Sequence, residues 1–241
     1  MNDSRMFAGL GVALVTPFRE DGAFDRDAFE AHVKFQVAGG VDALVPCGTT
    51  GESATMDATE QREVIAAAVA VAAGVAPSET PSGRRVVVIA GAGSNSTRAA
   101  AQLAAGAREA GADAVLSVGP YYNKPTQEGF YRHFRAVAEA AEIPVILYNV
   151  PGRTGSNILP ETVLRLARTA NIVGVKEASG DLAQVMTIVR GRPEGFLVLS
   201  GDDELTLPVL AMGGDGVVSV ASNEVPAAMS QLVHAGLAGN F

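Results

Sequence analysis

Short apolar runs separated by longer alanine-rich stretches set the rhythm of this chain. Eight of the runs read as strands, at 11–15, 43–46, 86–90, 114–118, 145–149, 172–176, 197–200 and 216–220. They are apolar throughout instead of alternating, the pattern of strands buried on both faces, and such strands need a parallel sheet covered by helices. The stretches between them predict helices at 25–38, 57–73, 97–110, 127–140, 160–169, 181–190 and 204–212, with an eighth beginning near Pro226. Asp25, Asp57 and Asp181 stand where helix N-caps belong. Eight βα units in 241 residues match a single (β/α)8 TIM barrel, spanning 1–241. A doubly wound open sheet is the alternative. Gly91-Ala92-Gly93 lacks the third spaced glycine of a dinucleotide turn. The Pro- and Ser-rich stretch 76–83 lies between a helix and a strand, on the face of a barrel that carries no chemistry. No internal repeat beyond the βα period is evident.

In a barrel, chemistry gathers where strands end. Those positions hold Thr16, the turn Gly48-Thr49-Thr50-Gly51-Glu52-Ser53, then Tyr121-Tyr122-Asn123, Tyr148-Asn149, Gly152-Arg153-Thr154-Gly155, Lys176-Glu177, Gly201-Asp202-Asp203 and Ser219. Lys176 closes the apolar run Ile172-Val173-Gly174-Val175. Desolvation disfavours an ammonium, so a lysine there can be nucleophilic near neutral pH, as a Schiff base with a carbonyl substrate requires. The competing reading is a solvated lysine where a strand meets water. Gly48-Thr49-Thr50-Gly51 is either a tight turn or a set of N–H and hydroxyl donors suited to a carboxylate. Asp202-Asp203 is expected to cap the helix that follows, and Glu52 and Glu177 to orient neighbours.

Composition narrows the chemistry. Net charge is −8, which disfavours a nucleic-acid partner. Cys47 is the only cysteine and sits in an apolar stretch, so it is expected to be a small buried hydrophobe. His32, His133 and His234 fall in helical segments, so a histidine-based metal site finds no ligands at the strand ends. Gly213-Gly214 precedes the last strand and reads as a tight connection, which disfavours a phosphorylated substrate. The opening Met1-Asn2-Asp3-Ser4-Arg5-Met6 does not read as a signal peptide, and no apolar stretch reads as a membrane span. The expectation is a cytoplasmic protein without membrane partners.

Four segments resemble the dihydrodipicolinate synthase family. They are Gly48-Thr49-Thr50-Gly51-Glu52, Pro120-Tyr121-Tyr122-Asn123-Lys124-Pro125, Tyr148-Asn149-Val150-Pro151-Gly152-Arg153-Thr154-Gly155 and Val175-Lys176-Glu177-Ala178-Ser179-Gly180-Asp181. Ser200-Gly201-Asp202-Asp203 and Gly216-Val217-Val218-Ser219-Val220 continue the match in family order. The wider superfamily includes N-acetylneuraminate lyase. The doublet Thr49-Thr50 and Arg153 favour the synthase.

The resemblance implies condensation of pyruvate with L-aspartate 4-semialdehyde, in lysine and diaminopimelate biosynthesis. Lys176 would form a covalent imine with pyruvate, without metal or organic cofactor. Tyr148, Thr50 and Tyr122 would relay protons, with Tyr122 supplied across a tight interface of a homodimer or homotetramer. Thr49 and Thr50 would bind the pyruvate carboxylate, Arg153 the carboxylate of the semialdehyde, and Gly201 and Val218 would line the pocket. Another pyruvate-dependent sugar-acid aldolase, or an inactive paralogue or fragment, are the alternatives. Two departures stand out. The family's helical C-terminal segment is largely missing, so the barrel reads as truncated at its C-terminus. At the positions of the family's lysine-feedback cleft, Ser53, Asn95 and Tyr121 match, whereas Ala58, Gln61 and Ala99 stand where histidines, other polar groups and a glutamate are usual.

Overall fold

A computed structural model describes residues 4–80 and 82–241. Met1, Asn2 and Asp3 of the opening segment, and Pro81 of the 76–83 stretch, lie outside the described residues. Eight parallel strands close on themselves in sequence order, so the barrel prevails over the open sheet. The strands are β1 (Gly9–Ala13), β2 (Ala43–Val45), β3 (Val87–Gly91), β4 (Ala114–Val118), β5 (Val145–Asn149), β6 (Ile172–Glu177), β7 (Leu197–Ser200) and β8 (Gly216–Ser219). Around them run α1 (Arg26–Ala38), α2 (Ala58–Ala73), α3 (Thr97–Glu109), α4 (Gln127–Ala141), α5 (Pro151–Thr154), α6 (Pro160–Leu166), α7 (Leu182–Gly191), α8 (Thr206–Ala211) and α9 (Pro226–Leu237).

The strands show no polar alternation because each face meets a different apolar layer. Leu10, Val12, Leu44, Val88, Val115, Leu147, Val175 and Val198 point outward and pack against the helices. Ala43, Val87, Ile89, Leu116, Ile146, Leu197, Leu199 and Val218 point inward and fill the barrel. That alternation decides which strand-end residues can meet. On β5, Tyr148 shares the inward face with Ile146, and on β6, Lys176 pairs in register with Tyr148.

Helix starts follow local chemistry. Asp25, Asp57 and Asp181 accept hydrogen bonds from the first-turn N–H groups of α1, α2 and α7, with a full capping box at Asp57 and Glu60. Three expectations shift. The first strand covers Gly9–Ala13 instead of 11–15. The helix expected at 160–169 ends at Leu166. The pair Asp202-Asp203 does not cap the next helix, because neither carboxylate reaches its N–H groups. Asp203 Oδ2 instead accepts from the N–H groups of Val220 and Ala221, at 3.0 and 2.9 Å, and so ties the loop after β7 to the loop after β8.

The floor of the barrel carries a repeat that the βα period conceals. A Gly-x-Asp triplet leads into β2, β4 and β8, as Gly40-Val41-Asp42, Gly111-Ala112-Asp113 and Gly213-Gly214-Asp215. The three glycines share left-handed φ values of 91°, 93° and 93°, a conformation that favours glycine. Each aspartate then accepts from a backbone N–H of the preceding strand: Leu10 at 2.9 Å, Val88 at 2.8 Å and Val198 at 2.8 Å. Each also meets an arginine, Arg84, Arg85 or Arg192. Before β6 the position is Asn171, whose amide donates to Ala138 O and Ile143 O instead.

Candidate active site

At the opposite end of the barrel, Lys176 is 5% exposed and inward-facing, between Tyr148 on β5 and Leu199 on β7. Its Nζ lies 4.3 Å from the centre of the Tyr148 ring. Burial lowers its pKa from 10.5 to about 8; Asp202 and Asp203 oppose the shift, and Arg153 adds to it. At pH 7 such an amine is neutral in roughly a tenth of molecules, against fewer than about one in a thousand for an unperturbed lysine. Gly201 leaves the side chain its room. A Cβ there would stand 2.5 Å from Ala178 Cβ and 3.1 Å from Lys176 Cε.

A cavity of about 150 Å³ opens above the amine, lined among others by Thr49, Thr50, Tyr148, Arg153, Lys176 and Asp202. That is smaller than the roughly 300–1,000 Å³ of a drug-sized site, so it suits a molecule of a few heavy atoms. Tyr148 is 8% exposed. Burial raises its pKa, Asp202 adds to the rise, and Arg153 and hydrogen bonding from Thr49 oppose it. The threonine turned toward Tyr148 is thus Thr49, where the sequence reading set Thr50; both line the cavity. Arg153 stands at the rim on α5, a short turn that starts with Pro151 at its first position, where the missing N–H costs nothing. An adjoining cavity of about 410 Å³ shares Thr49, Ser53, Val150 and Arg153 with the first and adds Tyr121 and Thr154.

Two expected residues lie elsewhere. Tyr122 is 90% exposed and lines neither cavity. Val218 is buried in the barrel interior, and the β8-loop residue that lines the cavity is Val220. Behind the strand ends, Glu177 faces outward into a buried polar cluster. Its carboxylate accepts from Asn149 Nδ2 at 3.1 and 3.0 Å, from Gln184 Nε2 at 3.1 Å and from Ser179 N–H at 2.8 Å. Burial raises its pKa, and these hydrogen bonds oppose the rise. Asn157 bonds both Asn149 and Gln184. The sequence reading missed Asn157 and Gln184, since nothing local marks an amide on a helix or loop as facing a strand end.

Backbone strain marks the same rim. Among the described residues, non-glycine positions with left-handed φ are Cys47, Glu52, Tyr122, Lys124 and Glu142. The first four lie in the loops after β2 and β4, and each costs about 1 kcal/mol or more. Cys47 is buried, and burial pushes its thiol up to about 12, so it is not a nucleophile at neutral pH. Among the described residues, no group of three or more His, Cys, Asp or Glu could hold a metal ion, and no helix is long and apolar enough to cross a membrane.

A (β/α)8 barrel with a buried amine of lowered pKa beneath a small polar cavity is the frame of an imine-forming lyase. Residues 6–241 match the dihydrodipicolinate synthetase family, and the chain belongs to it. It is 54% identical over 235 residues to the 4-hydroxy-tetrahydrodipicolinate synthase of Prosthecochloris aestuarii, covering 97% of this chain and 76% of that one. The crystal structure of dihydrodipicolinate synthase from Aquifex aeolicus superposes with a TM-score of 0.90 at 46% identity, covering 97% of this chain and 76% of that one. A monomeric dihydrodipicolinate synthase variant gives 0.91 at 41% identity, covering 99% and 77%.

Proposed function

We propose that this protein is a 4-hydroxy-tetrahydrodipicolinate synthase, a lyase that condenses pyruvate with L-aspartate 4-semialdehyde through an imine on Lys176. The observation that carries the reading is the buried, partly neutral Lys176 amine in register with Tyr148 beneath a cavity lined by Thr49, Thr50 and Arg153. The amine attacks the pyruvate ketone, and loss of water gives the imine. The imine acidifies the methyl group, and loss of a proton gives an enamine whose carbon attacks the aldehyde. The amino group of the second substrate then closes the ring and releases Lys176. Thr50 and its loop N–H groups hold the pyruvate carboxylate, and Arg153 takes that of the semialdehyde.

Proton transfer falls to hydroxyls. Tyr148, with its raised pKa, stays protonated near neutral pH and acts as one member of a relay, with Thr49 beside it. The exposed, left-handed Tyr122 completes that relay from a second copy of the chain, in a homodimer or homotetramer. Gly201 keeps the amine unobstructed, and Val218 supports the cavity from below. No further cofactor enters this scheme, and a cytoplasmic setting belongs to it.

The test is mass spectrometry after borohydride treatment with pyruvate. The wild type gains a stable adduct on Lys176, with a rate that rises with pH toward a plateau above about 8, and Lys176→Ala gains none. A coupled assay then compares the semialdehyde with adducts of sugar-acid lyases. No adduct in the wild type overturns the imine reading. Turnover of a sugar-acid adduct alone overturns the choice of substrate.

A further inference from the structure

Two oppositely charged side chains flank the lysine strand at the cavity and are bound to nothing. Arg153 follows β5 and Asp202 follows β7, so they stand on either side of β6 and Lys176. Both line the small cavity. Among the described residues, neither side chain makes a hydrogen bond or an ion pair within 4.0 Å, although the charge of Arg153 reaches Asp202. Arg153 is exposed and Asp202 half-buried, so both stay hydrated where they line the cavity and are free to take a ligand. An unpaired arginine and an unpaired aspartate, too far apart to pair with each other, leave a gap for a molecule carrying both a carboxylate and an ammonium.

From this arrangement we infer that Asp202 is the specificity-determining residue that binds the α-ammonium of the second substrate, opposite the carboxylate held by Arg153. The inference rests on the proposed function, whose second substrate is an α-amino acid. Pyruvate has no ammonium and so makes no use of Asp202. The course of the reaction favours the assignment. Of the charges that oppose the rise in Asp202's pKa, Lys176 is the largest. Once the enamine has formed, the Lys176 nitrogen is neutral, and the carboxylate is left facing the incoming ammonium without its former cation. Asp203, its neighbour, is not interchangeable, because its carboxylate is committed to the N–H groups of Val220 and Ala221.

The test separates the amino group from the rest of the substrate. Asp202→Asn is close in shape, and the carboxylate it replaces has no hydrogen bond in the fold. Pyruvate trapping with borohydride is expected to persist in this variant. Its KM for L-aspartate 4-semialdehyde is expected to rise about 10- to 100-fold, the worth of one charge-assisted hydrogen bond. The inhibition constant of succinate semialdehyde, the same acid aldehyde without the amino group, is expected to change less than about twofold. Asp202→Glu restores part of the KM. If both constants rise together, or if neither moves, Asp202 does not read the amino group. If the wild type itself fails to trap pyruvate, the underlying function falls, and this assignment with it.

Discussion

Lys176 shows how one residue sets chemistry against stability. A fall in pKa from 10.5 to about 8 corresponds to about 3 kcal/mol of disfavoured ammonium at neutral pH. The folded-state pKa of this cation is depressed, so the unfolded chain holds more protons between pH 8 and 10.5. The penalty is therefore complete below about 8 and disappears as pH rises toward 10.5. Lys176→Met is expected to be inactive yet more stable than the wild type at pH 7, by up to about 3 kcal/mol, with a gain that shrinks across that window. Denaturant titrations at pH 7 and 10 would measure this, and a variant less stable at both would refute it. The lysine was legible because an apolar run that ends in an ammonium is unusual. Its partners were less so. Two adjacent threonines look alike in sequence, and only the path of the loop turns Thr49 toward Tyr148. Asp202 read as a helix cap because an aspartate before a helix normally is one.

At the scale of elements, the apolar runs located all eight strands but not all of their ends. The run that holds β1 continues through Leu14 and Val15, and nothing apolar in it marks where hydrogen bonding to β2 stops. The helix expected from residue 204 starts at Thr206, because Asp203 turns away to hold the loop after β8. The Gly-x-Asp triplets went unread since each is three residues long and the intervals between them are unequal. Their worth can be apportioned. The arginine partner of Asp113 is half exposed, and such ion pairs contribute about 0–1 kcal/mol. The N–H of Val88 is buried, and leaving it without an acceptor costs about 1–3 kcal/mol. Asp113→Ala is thus expected to destabilise by about 1–3 kcal/mol and Arg85→Ala by less than about 1 kcal/mol. Equal losses in urea unfolding would assign the stabilisation to the ion pair instead.

For the whole molecule, the outer cavities bear on regulation. A cavity of about 440 Å³ between α2 and α3 is lined by Ala58, Gln61, Arg62 and Ala99 among others. Gln61 is occupied, its amide donating to Ser53 O at 2.9 Å. Arg62 brings positive charge, and no carboxylate lines this cavity to receive an ammonium. Free lysine is accordingly expected to inhibit weakly or not at all, and an assay showing strong inhibition at submillimolar lysine would contradict this. The barrel floor holds a consequence of another kind. The aspartate staples join β1 to β2, β3 to β4 and β7 to β8, whereas Asn171 leaves β5 and β6 without one, and the register of that pair shifts between Val145 and Ile146. Tyr148 and Lys176 ride on this pair. Of the barrel's eight seams three carry such a staple, and the seam that bears Tyr148 and Lys176 is among the five that do not, so the spacing of tyrosine and lysine rests on the strand pairing itself.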